Sequence, residues 1–121
     1  MKAIVFPDVE LFLTQRFRER FPDVDYIGRK VPRDLEHRRS VIAIRRQGGE
    51  TWSAFLDVPR VGINVYARTE QEAGDLAREA RGFLHTIPEL KRVRTSGPAE
   101  ATTDTNLERR YFTSEFSMLA R

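Results

Sequence analysis

The chain has 121 residues, 40% of them hydrophobic and 32% charged, which suits one domain with one modest core. Its 21 basic residues nearly balance 18 acidic ones, for a formal net charge of +3, and a dedicated nucleic-acid binder would instead carry a one-signed patch. The sequence contains no cysteine, which excludes disulfides and thiolate metal sites, and no apolar run approaches the roughly 18 residues of a membrane-spanning helix.

Residues 1–6 are a short apolar lead-in. They are too few for a secretory leader and are followed by Pro7 and acids, so the expected setting is the cytosol or something assembled there. Pro7 and Asp8 open a helix, with Asp8 and Glu10 suited to its positive end. Val9, Phe12, Leu13, Phe17 and Phe21 form its apolar stripe, Gln15, Arg16, Glu19 and Arg20 its wet face, and Phe21-Pro22 stops it. A short strand is expected over 24–27, closed by Gly28, and then a charged link over 32–39. Residues 41–46 read as a second strand. Gln47-Gly48-Gly49-Glu50 reads as a hairpin turn, because two glycines supply positive φ without steric cost. Residues 52–58 fit either a strand or a wide loop, and Pro59 interrupts the chain before the next strand.

The clearest unit runs over 60–88. Val61, Ile63, Val65 and Ala67 alternate with Gly62, Asn64, Tyr66 and Arg68, the period of a strand with one buried face. Thr69 and Glu72 have the spacing of a capping box. Ala73, Leu76, Ala77, Ala80, Phe83, Leu84 and Ile87 then lie on one helical face, and Pro88 ends the helix near Thr86. Residues 92–95 suggest a short strand, and 96–108 a polar loop without apolar anchors. In the last segment Phe112, Ser114, Phe116 and Met118 share one face of a strand. The expected fold is α+β: a single domain with a mixed, mostly antiparallel sheet and two amphipathic helices packed on it, in the order α-β-β(-β)-α-β-β.

Catalytic arrangements are not apparent. His37 and His85 are isolated, and His85 suits a helix C-terminus. No GxSxG elbow, Walker loop, GxGxxG or HExxH is present. No enzyme, cofactor or metal is expected. Arginines dominate the cations, with lysine only at positions 2, 30 and 91. Arg38-Arg39, Arg45-Arg46 and Arg109-Arg110 are adjacent pairs, and in a strand each pair places one cation on each surface. That suits salt bridges between subunits at least as well as a phosphate track. Trp52 and Phe55 are possible aromatic anchors for a partner. With Arg60, and with Thr102 and Asp104 of the polar loop, these residues make up the candidate interface.

The segment Asp57-Val58-Pro59-Arg60-Val61, running into Val65-Tyr66-Ala67 and then the Glu72 to His85 helix with Ala73, Leu76, Ala77 and Arg81, resembles the tail terminator (tail completion) proteins of long-tailed bacteriophages. Phe6-Pro7-Asp8-Val9-Glu10 and Arg110-Tyr111-Phe112 are similar to that family too. The resemblance implies a homohexameric ring at the head-proximal end of the tail tube, in the virion at the head–tail junction. Such a ring ends tube polymerisation and presents the surface that joins the head connector. The implied partners are copies of the chain, the tail tube protein, the head–tail connector protein and the tape measure protein. Genomic DNA is only passing cargo, and neither enzymatic activity nor membrane contact is implied. On this reading the turn region of 41–52 and the 96–108 loop project toward neighbouring rings, and deleting 102–105 impairs tail joining. The alternatives are another connector component, such as a stopper or adaptor, or a small basic nucleic-acid-binding module.

Overall fold

The Asp8 carboxylate accepts a hydrogen bond from the Leu11 amide at 3.1 Å and so starts helix α1, Val9–Arg20. The computed structural model describes residues 6–51, 56–97, 99–101 and 107–119. After α1 come strand β1 (Tyr26–Gly28), a 3-10 turn (Leu35–His37), strand β2 (Ser40–Thr51), strand β3 (Leu56–Ala67) and helix α2 (Glu70–Leu84). Strands β4 (Lys91–Thr95), β5 (Ala99–Ala101) and β6 (Glu108–Leu119) complete the described chain.

The strands form one sheet in the order β1-β2-β3-β6-β4, with β5 also pairing β6. Only β1 and β2 pair in parallel, and the other described pairs are antiparallel. The expected α+β architecture with a mixed, mostly antiparallel sheet is therefore the observed one. Strands β4 and β5 follow one another along the same side of β6, opposite its 114–117 and 109–111 portions. Strands β3 and β4 both run antiparallel to β6, so the β3-α2-β4 connection crosses over a strand that is added last.

Both helices lie on one face of the sheet, α1 against β1 and β2, α2 against β3 and β6. That face supplies Ile42, Ile44, Val61, Ile63, Val65, Phe112, Phe116 and Met118 to the core. Val9, Leu13 and Phe17 come down from α1, and Ala77, Ala80 and Leu84 from α2. The alanines let α2 sit close to the sheet, and Phe17, Phe21 and Phe83 fill the seam between the helices, with ring centroids 5.2–5.7 Å apart. On the opposite face a smaller cluster of Leu35, Val41, Tyr66 and Leu107 is buried, and Ala43 and Val58 of the same strand faces are buried too.

Four expectations are corrected. The double glycine is not a hairpin turn, because β2 continues through it and pairs Gly49 with Pro59, Glu50 with Val58 and Thr51 with Asp57. The register shifts by one residue between Arg46 and Gly49, so Gly48 (φ 104°) and Gly49 (φ 105°) spend their positive φ on a β-bulge. The same pairing carries β3 straight through Pro59, which lies inside the strand rather than before it. The first short strand covers Tyr26–Gly28 rather than 24–27. The polar loop has anchors: Ala99–Ala101 pairs β6, and Leu107 is buried.

Candidate interface surface

The other face of the sheet is built from the strand positions that alternate with the core. Across it, Cα pairing sets Arg60 opposite Glu115 and Glu115 opposite Arg94. The Arg60 and Glu115 side chains come within 3.7 Å. These residues, with Gln47, Ser96 and Thr113, line a shallow groove of about 560 Å³ that is mostly polar in its chemistry. Gln47 lies across Gly62, where a Cβ would sit 2.4 Å from the Gln47 amide nitrogen, and Tyr111 donates its hydroxyl to Gln47 Oε1 at 2.9 Å. Gly62 is thus the gap that lets a polar side chain lie flat on the sheet.

Of the paired arginines, several are fasteners within the fold. Arg46 makes a two-pronged pair with Asp57 at 2.9 and 3.0 Å, and its Nε donates to the Gly48 carbonyl at 2.8 Å. Asp57 is 3% exposed, so this pair locks the bulge from inside. Arg110 reaches Glu70 of α2 at 3.2 Å with its side chain 11% exposed. Arg109 donates to Asn64 Oδ1 at 2.8 Å and lies 5.9 Å over the Tyr66 ring. Arg38 donates to Asp34 at 3.2 Å and stacks 5.5 Å over Tyr26. The two pairs that lie in strands divide between two surfaces as strand geometry requires: Arg45 is exposed while Arg46 is clamped, and Arg109 lies over Tyr66 while Arg110 reaches α2. Arg38-Arg39 precedes β2 and is not in a strand. Arg39, Arg45 and Arg60 remain exposed. Trp52, Phe55, Thr102 and Asp104 lie outside the described residues, as does the 102–105 segment.

Glu10 is a residue the sequence offered only as a helix-dipole partner. Its carboxylate accepts from the Arg46 backbone amide at 2.9 Å, and Arg29 and Arg45 stand 3.7 and 3.6 Å away. Strand β1 pairs β2 only from Val41 to Ala43, so Glu10 satisfies an amide on the edge that β1 leaves open. No local pattern announces that contact, because it joins residues 36 positions apart.

Two further surface features stand out, one away from this edge and one beside β1. One is a groove of about 360 Å³ beside the C-terminal end of α1 and the first half of α2. Its floor includes Phe21, Val24 and Leu76, and its rim carries Asp23, Glu72, Asp75 and Glu79 against a single Arg20. The other is the exposed stretch Arg29, Lys30, Val31 and Arg33 after β1, where Val31 is 41% exposed.

Among the described residues no group of three or more His, Cys, Asp or Glu is placed to hold a metal ion, and no helix is long and apolar enough to cross a membrane. His85 caps α2 and meets the Thr95 hydroxyl at 3.3 Å, where Arg81 also donates at 3.0 Å. His37 faces Glu36 on the surface. What the described site offers is an array of guanidiniums, carboxylates and hydroxyls on the sheet. No protein-family model and no curated protein matches the sequence.

Proposed function

We propose that this chain is a structural subunit of a phage tail terminator ring, capping the head-proximal end of the tail tube and offering the surface that joins the head connector. The observation that carries the reading is the β3–α2 unit, whose sequence bears the resemblance and whose signature residues all have work in the fold. Asp57 clamps Arg46, and Pro59 lies opposite the bulge. Arg60 is left exposed beside Glu115, and Thr69 caps α2 through the Glu72 amide at 3.1 Å. A sheet whose second face is only partly covered, by the Leu35 and Leu107 cluster, gives such a subunit a rigid surface for stacking. Ring closure needs two different, complementary patches on each copy.

On this reading the protein works by geometry rather than by a reaction, and no cofactor takes part. Its expected partners are its own copies, the tube protein, the connector and the tape measure protein, with DNA passing through. The nucleic-acid alternative is weaker, because Arg38, Arg46, Arg109 and Arg110 are engaged within the chain and offer no continuous phosphate track. Tube assembly with and without the purified chain tests the proposal. Capped tubes of uniform length, with added density at one end, are the expected outcome. Tubes whose length and ends ignore the chain would exclude it.

A further inference from the structure

Two surface features whose charged side chains are mostly unpaired within the described fold are chemical complements. The groove beside α2 has an apolar floor of Phe21, Val24 and Leu76. Three of its rim carboxylates, Asp23, Glu72 and Glu79, have no hydrogen-bonding or ion-pairing side-chain partner among the described residues; Asp75 is paired with Arg78. The stretch after β1 has the reverse pattern: an exposed apolar Val31 between Lys30 and Pro32, with Arg29 and Arg33 outside them. Lys30 and Arg33 are likewise without a partner among the described residues, and Arg29 is only loosely paired, at 3.7 Å from Glu10.

An apolar knob ringed by cations fits a partly apolar floor whose rim carries four carboxylates against one cation, Arg20. Arg20 stacks 4.9 Å over Phe21 and leaves Val24 and Leu76 as the more open part of the floor. Burial of the centre supplies affinity, and the opposite-sign rim fixes register and partner choice. The helices and the groove lie on one face of the sheet. The link leaves β1 and crosses to the other face, where Leu35 packs on Val41 and Tyr66. Knob and groove are different patches, so a contact between two copies that joins one to the other is heterologous, the kind from which a ring closes. We propose that Arg29, Lys30, Val31 and Arg33 of one copy dock into the Asp23, Glu72 and Glu79 groove of a second copy of this chain. This rests on the ring reading and adds to it the residues that join neighbours.

Charge reversal tests it with the full chain. One variant carries Arg29→Glu, Lys30→Glu and Arg33→Glu, and the other Asp23→Lys and Glu79→Lys. All five positions are exposed, so both variants are expected to keep the circular dichroism and melting of the parent. In sedimentation velocity at low salt the parent self-associates, and each variant alone associates at least ~10-fold more weakly because like charges now meet. An equimolar mixture of the two recovers association, since acidic knob then meets basic groove and basic knob meets acidic groove. A parent that stays monomeric throughout, variants that associate as the parent does, or a mixture without recovery would each overturn the proposal. So would a short DNA duplex binding the parent through this stretch without self-association. Tubes capped normally by both variants would sink this contact while leaving the ring reading in place. Tubes that the parent itself ignores would sink the ring reading.

Discussion

Asp57 shows how much one residue can carry. It is almost wholly buried, and its only described side-chain partner is the Arg46 guanidinium, whose own side chain is one-third exposed. Asp57→Ala leaves Arg46 without its two-pronged acceptor, though not without water, and is expected to cost about 2 kcal/mol, read as a lower urea midpoint at unchanged slope. Arg46→Lys is expected to recover little, because an ammonium cannot make both bonds at once. The neighbouring glycines separate two kinds of strain. Both have positive φ, but a Cβ at Gly48 meets open space, whereas one at Gly49 sits 2.2 Å from the Val58 carbonyl oxygen. Gly48→Ala is therefore expected to cost about 1 kcal/mol, for backbone conformation alone. Gly49→Ala should cost about 3 kcal/mol, because it also drives the two strands apart. Equal losses from the two in denaturant titrations would refute the bulge as described. None of this was legible beforehand: a sequence reports that two glycines permit positive φ, but turn and bulge use the same conformations, and only the partner strand decides between them.

At the scale of elements, α2 was the most readable piece. Its cap, its alanine-lined face and its proline stop all act over a few residues, so they appear directly in the sequence. Thr69→Ala is expected to lower stability by about 1 kcal/mol through loss of the cap. Gly82 lies exposed in the last turn of the same helix with nothing near its Cβ position, so Gly82→Ala should raise stability by about 0.5 kcal/mol. Thermal melts of the pair check both signs. Strands β2 and β3 were read too short because Gly and Pro usually end strands. Here each compensates the other, with Pro59 pairing across the bulge from Gly49. Strand β5 was missed because it has three residues and little pattern; it exists because β6 is long enough to pair β4 and then β5 in succession. Of the candidate interface residues, the strand period correctly split Arg45 from Arg46 and Arg109 from Arg110. It carried no information about which member of each pair would be fastened inside, since that depends on Asp57, Asn64 and Glu70, all distant in the chain.

For the whole molecule, the organising fact is a sheet with both described α-helices on one face. The helix-covered face holds most of the buried apolar side chains, and the other presents Arg45, Arg60, Arg94, Thr113 and Glu115 on a rigid frame. The two edges of the sheet are guarded against indiscriminate strand pairing. Strand β4 carries exposed Lys91, Arg92 and Arg94, and Glu10 occupies the Arg46 amide on β2. On the proposed ring reading, association is thereby steered away from the edges toward faces and grooves, where shape and charge can select a partner. The near balance of opposite charges matches a subunit that meets copies of itself better than one that tracks a polyanion. The central claim, that the chain closes the end of a tail tube, is tested most directly by electron cryo-imaging of tail tubes assembled with the purified protein. A ring of this fold seated at one end of each tube is the predicted result, and tubes with two bare ends in the presence of excess protein would contradict it.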